Sequence, residues 1–344
     1  MTSRPLPIVA IVALACAVLL PLSASAISGS PKASAATGVV ARIGSRGSTV
    51  VIIQRVVHAS ADGIYGPKTA AAVKVWQRSH RLPATGVVDA LTWSKMKVVW
   101  ASMPAVGNDV SWPQCPKGMG ISSRRGLGLP MPSVSAQFVV IGVTNGPAFY
   151  PNPCLAAQTA WAKAHRLYTA TYAVITYPTT RQVAAYGLKG PYKATGSASK
   201  LANTGYAQAR FNVAWMRRAG LVSPFLWVDV EPYPVAPWSK SAAANKAVVD
   251  GALRGYRAAS LKVGVYSAKS LWGGVIGSTR YGLPEWRTAG PRSQSTARSR
   301  CAGSYSFQGG PAVLAQWWTQ TADHDMTCPS SNTPAMLSAY FHKY

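Results

Sequence analysis

Phe225-Leu226-Trp227-Val228-Asp229-Val230-Glu231-Pro232 decides how the rest of this chain is read. Four apolar residues run into two acids at i and i+2, and Pro232 and Pro234 then stop a strand. Residues two apart on a strand share a face, roughly 6.6 Å from one another along the chain. Carboxylates that close oppose each other's ionisation. Trp227, Tyr233 and Trp238 add desolvation, so one acid keeps its proton near neutral pH. The 344 residues hold 35 Lys and Arg but nine Asp and Glu, a formal net charge of +26. In so basic a chain, no cation adjoins the pair to explain it as a surface ion pair.

Working outward, 106–110, 138–144, 168–177, 225–230, 262–267 and 313–318 read as strands, and 155–165, 204–219 and 242–259 as helices between them. Strands alternating with helices predict an α/β fold with a parallel sheet. The span 107–344 suits a TIM-like (β/α) barrel, a fold of about 250 residues. Residues 186–200, rich in Gly, Ser, Ala and Lys, read as a surface insertion. Barrel enzymes carry their catalytic groups at the C-terminal strand ends, where Asp229 and Glu231 fall. A protonated carboxyl beside an ionised one suits glycosidic cleavage. One donates a proton to the leaving oxygen, and the other stabilises oxocarbenium-like charge. Trp112, Trp227, Tyr233, Trp238, Trp317 and Trp318 are candidates to stack on sugar rings.

The start of the chain sets the compartment. Residues 1–26 read as a signal peptide: one Arg and no acid, an apolar run at 8–22, then Ser23-Ala24-Ser25-Ala26. That run is short of the ~20 residues a membrane span needs, so the mature protein is expected to be secreted, extracellular or wall-associated, without stable membrane insertion. Export makes an anionic wall polymer the expected partner of the positive charge, and not nucleic acid. Four cysteines remain: Cys115, Cys154, Cys301 and Cys328. An even number in an exported chain argues for disulfides. Three connectivities stay open, and the sequential one, Cys115–Cys154 with Cys301–Cys328, is preferred. No C-x-x-C occurs and the histidines are scattered, so no metal or other cofactor is expected. The protein is expected to act as a monomer.

Residues 27–37 read as a linker, 38–98 as a small all-α unit, and 99–106 as a second linker. Helical spacing covers 49–57 and 69–80, and Asp89 is placed to N-cap a third helix. Between the first two, Asp62-Gly63-Ile64-Tyr65-Gly66-Pro67 is a turn in which Gly63 and Gly66 can supply positive φ. Thr69 or a neighbour is expected to cap the second helix.

This unit resembles the three-helix peptidoglycan-binding module of wall hydrolases. The matching residues are Arg46-Gly47, Val50, Gln54, Asp62-Gly63, Tyr65-Gly66, Thr69, Ala72-Val73, Trp76-Gln77, Gly86, Asp89 and Thr92-Trp93. The resemblance implies binding of glycan or stem peptide, with Asp62, Tyr65, Trp76, Gln77 and Trp93 as its residues. The larger unit resembles glycoside hydrolase family 25, the lysozymes that cut after N-acetylmuramic acid. Asn108-Asp109-Val110-Ser111-Trp112-Pro113-Gln114 fits that family's opening D-V-S-x-x-Q strand, and Asp229-Val230-Glu231 its D-x-E strand end. Ala315-Gln316-Trp317-Trp318, with an acidic turn at 323–325, fits its late strand. The resemblance implies Glu231 as general acid, Asp229 orienting the substrate acetamido group or stabilising charge, and Asp109 and Asp325 lining the cleft. Two features depart from the family. Thr144-Asn145-Gly146 stands for its T-E-G, and Tyr172-Ala173-Val174 lacks the His of its Tyr-His-Phe. The expected function is a secreted, muramidase-like wall hydrolase. The alternatives are a silent wall-binding protein on the same fold, a hydrolase of another wall polysaccharide, and a cationic protein acting on membranes by charge alone.

Overall fold

The computed structural model describes residues 38–133, 135–232 and 236–344. The expected signal peptide 1–26, the linker 27–37 and Tyr233 lie outside the described residues. The first helical unit holds α1 (Ser48–Val56), α2 (Pro67–Ser79) and α3 (Ala90–Ser102). Strands β1 (Val39–Ala41) and β2 (Val88–Asp89) pair antiparallel beside them. The Asp89 side chain caps α3, accepting from Thr92 N at 2.7 Å, and α3 runs on to Ser102 through residues read as linker. Gly63 takes φ 75° as expected. Gly66 does not, and it is Gly66 that N-caps α2, with Pro67 pre-setting the first turn. Thr69 is no cap, because its buried hydroxyl accepts from Gln54 Nε2 at 3.1 Å.

That contact belongs to an internal repeat. Gln54 Oε1 accepts from Gly63 N at 2.9 Å, and Gln54 Nε2 donates to Ile64 O at 2.9 Å as well as to Thr69. Gln77 Oε1 accepts from Gly86 N at 2.9 Å, and Gln77 Nε2 donates to Val87 O at 2.8 Å and Thr92 Oγ1 at 3.2 Å. The offset is constant (54 to 77, 63 to 86, 64 to 87, 69 to 92), and His58 and Arg81 share it with φ 55° and 56°. Each buried amide satisfies the backbone of the loop that leads to the next helix.

The larger unit is a mixed α/β fold around a closed eight-stranded barrel. Its strands are β3 (Val106–Val110), β6 (Phe138–Gly142), β7 (Tyr168–Val174), β8 (Phe225–Asp229), β9 (Lys262–Ser267), β10 (Glu285–Thr288), β11 (Ala312–Trp318) and β12 (Asp323–Thr327). They pair in the order β7-β6-β3-β12-β11-β10-β9-β8, and β8 closes on β7. A small hairpin, β4 (Gly120–Ile121) and β5 (Arg124–Arg125), follows β3, and β13 (His342–Lys343) pairs with the start of β7. The all-parallel expectation fails at β12, which runs antiparallel to both β11 and β3. The acidic turn read at 323–325 is this strand. The turn itself lies just before it, where Thr319 N donates to Ala322 O. Asp-His-Asp-Met-Thr has too few apolar residues to announce a strand, and Glu-Trp-Arg-Thr of β10 is too short to do so.

Strand alternation sorts the core. Phe138, Val140, Phe225, Trp227, Trp286 and Leu314 fill the interior. Val139, Ile141, Leu226, Val228, Val263 and Val265 face the surrounding helices. Those are α4 (Leu155–Ala164), α5 (Thr180–Tyr186), α6 (Ser197–Arg218), α7 (Ala242–Arg257), α8 (Lys269–Ile276), α9 (Gln294–Ser299) and α10 (Thr333–Tyr340). Helix α6 begins at Ser197, earlier than read, and Asn203 ties down the preceding turn through Gly187 O and Tyr192 O, each at 2.9 Å. Helices α6 and α7 approach closely because a Cβ on Gly251 would meet Ala202 O at 1.8 Å. Both disulfides take the sequential pairing, Cys115–Cys154 and Cys301–Cys328.

Candidate active site

The inward residues of the strands build the site layer by layer. Trp227 and Trp286 form an apolar floor, 0% and 1% exposed. One strand position further toward the C-terminal mouth, the inward residues turn polar. Asp109 is the penultimate residue of β3 and Asp229 the last of β8, each 5% exposed. Because β12 is reversed, it brings Asp323 beside Asp109 and Asp325 beside Gly107 on the same inner face.

Asp109 Oδ2 accepts from Gln316 Nε2 at 2.7 Å, and Gln316 Oε1 accepts from Tyr266 OH at 2.7 Å. Asp325 is fully buried one layer lower. Its Oδ1 accepts from Trp286 Nε1 at 2.8 Å, and its Oδ2 is buried without a hydrogen-bond partner. Burial pushes Asp325 up to about 8 and Asp323 up to about 6. Asp109 is raised well above the ordinary range, first by burial and then by the charges of Asp323 and Asp325.

Across the mouth, Asp229 is raised by burial and then by Glu231, and its Oδ1 is buried without a partner. Glu231 follows the end of β8, where Val230 N still donates to Tyr266 O and Ser267 Oγ donates to Val230 O. Its carbonyl accepts from Trp238 Nε1 at 2.8 Å. Glu231 is half-buried, and burial raises its carboxyl to about 7 against the downward pull of the Arg124 guanidinium. Arg124 lies over the Trp112 ring, 5.4 Å from its centroid. Asn145, standing for the acid of the T-E-G pattern, positions this hairpin by donating to Arg124 O and accepting from Ile121 N. Tyr172 and Tyr266 are raised by burial and by the neighbouring carboxylates, so both stay protonated donors.

The structure thus brings together Asp109, Asp229, Glu231 and Asp325, with Trp112 and Trp238 on the Glu231 side. Trp227 is packed among Phe225, Trp286 and Tyr340 and offers no face to a sugar. Trp317 points outward and stacks on His324. Trp318, on the same face as Gln316 and opposite Asp323, is 42% exposed and stands at the mouth. The sequence reading gave no site role to Tyr266 or Arg124, nor to Asp323, Gln316 and Tyr172, which stood only within its motif matches. A signal existed for Gln316, a polar residue at an inward position of an apolar strand. In the helical unit the expected binding residues also make contacts within the module. Tyr65 is buried and donates to Gly86 O, Trp76 stacks on His80, Gln77 is buried, Trp93 packs against the core, and Asp62 accepts from Gln54 Nε2 and Ile64 N.

Residues 54–96 match the family model described as "Putative peptidoglycan binding domain". A search of curated proteins finds no match. Among solved structures, the chain is similar to a bacterial lysozyme from Streptomyces coelicolor at 15% identity, over 69% of this chain and 96% of that one, with a TM-score of 0.45. It is similar to a family 25 glycosyl hydrolase from Bacillus anthracis at 12% identity, over 69% and 94%, with a TM-score of 0.44. A family GH25 lysozyme from Aspergillus fumigatus is similar at 16% identity, over 66% and 95%, with a TM-score of 0.43.

Proposed function

We propose that the protein is a secreted, wall-directed glycoside hydrolase of the muramidase type, held on peptidoglycan by its N-terminal module. One observation carries the reading. Glu231, half-exposed at the barrel mouth, holds its proton up to about 7 beside the buried Asp229. Glu231 donates that proton to the leaving glycosidic oxygen. Asp229, without a hydrogen-bond partner for Oδ1, orients the acetamido group or stabilises the positive charge that develops at the anomeric carbon. The Asp109–Asp325 pair and Asp323 form the opposite wall, and Gln316 and Tyr266 hold Asp109 in place. Trp112, Trp238 and Trp318 flank the mouth as sugar-stacking surfaces. The module's family match supports peptidoglycan as the anchoring polymer, and tethering raises the local concentration of barrel at its substrate.

The test is reducing-sugar release from purified peptidoglycan by the wild type and by Glu231→Gln, both checked for wall binding. Release that the variant loses while still binding supports the reading. No release by a folded, wall-binding wild type from several wall types leaves a binding protein on a hydrolase fold.

A further inference from the structure

A cavity of 540 Å³ lies between the module and the outer wall of the barrel. Its lining includes Arg55 of α1, Asn108, Gln114, Trp317 and His324, together with Asp109 and Asp323. It exists because β11 and β12 are joined by a hairpin, so no crossover helix lies between them. Helix α9 covers Ala315 and Met326 of that wall, and its first residue, Gln294, stops at the cavity.

Three features of the lining point to a ligand. The Arg55 guanidinium is half-buried. Nη1 donates to Gln137 Oε1 at 2.6 Å and Nη2 to Ser135 O, both neutral acceptors, while Nε is buried without a partner. The ion pairs among the described residues are Lys246–Asp250 and Arg287–Glu285, so no carboxylate neutralises Arg55. A desolvated cation without a counter-ion is costly, and an anionic ligand removes that cost. Next, Asn108 Nδ2 donates to Asp323 O at 2.8 Å and lies 3.3 Å from His324 Nδ1. With the amide as donor, Nδ1 accepts, so the ring proton sits on Nε2 as a further donor. Finally, Trp317 and His324 stack with centroids 5.3 Å apart, an aromatic platform flanked by carboxamides.

We propose that this cavity binds a carboxylate-bearing muropeptide, with an N-acetylated sugar against Trp317 and His324 and the carboxylate of its peptide on Arg55. The proposal rests on the wall-polymer reading above and extends it to a second site. That site shares β3 and β12, with Asp109 and Asp323, with the wall of the mouth opposite Asp229, and β12 and β8 sit opposite each other in the closed strand order. It holds a neighbouring part of the wall polymer at the junction of module and barrel while the mouth works on another.

The probe is muramyl dipeptide, titrated calorimetrically into the full chain, beside the same compound with its peptide carboxyl groups amidated. Wild type is expected to bind the carboxylate form, with Arg55→Gln and His324→Ala each at least tenfold weaker. The amidated form is expected to bind wild type and Arg55→Gln alike, which a merely structural role for Arg55 does not produce. Absence of binding to wild type, unchanged affinity in either variant, or equal loss of both probes in Arg55→Gln overturns the proposal. Reducing-sugar release by the same preparations separates the two readings. Hydrolysis with unchanged probe binding removes the second site alone, and probe binding lost in the variants without hydrolysis removes the hydrolase alone.

Discussion

In the proposed reaction Glu231 and Asp229 divide the work by exposure: Glu231 is half-buried and Asp229 is 5% exposed. The proton donor must reach the leaving oxygen, so Glu231→Gln is expected to cut turnover by about 100-fold or more, the usual share of a general acid. With the Glu231 carboxyl near 7, the alkaline limb of kcat/KM is expected close to neutrality. A pH profile of the wild type checks this, and a limb near pH 4.5 contradicts the assignment. Trp318 is the exposed aromatic at the mouth, so Trp318→Ala is expected to raise KM several-fold with less effect on kcat, read from kinetics on peptidoglycan fragments. The carboxylate pair was legible because alternation on one strand is a local property. Trp317 and Trp318 were not distinguishable, since adjacent tryptophans look alike until the inward bond from Gln316 to Asp109 shows which face each takes.

At the scale of elements, two buried polar devices hold loops that carry little regular structure. Gln54 and Gln77 each satisfy a turn from within the module. Gln77→Ala leaves Gly86 N and Val87 O without their buried partner and is expected to cost about 1–3 kcal/mol, measured by denaturant unfolding. The repeat behind this arrangement was hidden in the sequence because its equivalent positions share few identities beyond Gln, Gly and Thr. In the barrel, Glu285 is fully buried and accepts from Arg287 Nε at 2.6 Å, Ser306 Oγ at 2.9 Å and Gln308 N at 3.0 Å. Arg287 Nη1 donates onward to Arg300 O and Ala302 O, both at 2.7 Å. Glu285→Gln strands the Arg287 charge and is expected to cost about 3–5 kcal/mol, seen as a lower Tm. These two residues were invisible as a pair with a purpose, because their partners are carbonyls and amides of a loop more than ten residues away.

For the whole molecule, the few acids are all accounted for. Asp62 and Asp89 order the module, Asp250 pairs with Lys246, Glu285 with Arg287, and the remaining five gather at the barrel mouth. A cluster of buried carboxyls makes stability depend on pH in a stated direction. Their folded pKa values lie above their unfolded ones, so between about pH 4 and 8 the native state holds protons that the unfolded chain has released. Stability is therefore highest on the acid side of that window and falls as pH rises through about 6, 7 and 8 for Asp323, Glu231 and Asp325. Tm is expected to drop from pH 5 to pH 8, and Asp325→Asn is expected to flatten the slope. A Tm that rises over this range rules out a buried cluster of raised carboxyls.

The sequence by itself determined what depends on neighbours along the chain. It set the helical period of the module, the Asp89 cap, the alternation that puts Asp229 and Glu231 at the end of a buried strand, and the number of cysteines available to pair. Tertiary structure decided what depends on closure of the sheet. The reversal of β12 brings Asp323 and Asp325 to Asp109, the register of β11 turns Trp317 outward and Trp318 toward the mouth, and docking of the module encloses Arg55. The physical reason is the same in each case. A local pattern states which residues share a face, but only the long-range hydrogen bonds of the closed barrel state which faces meet.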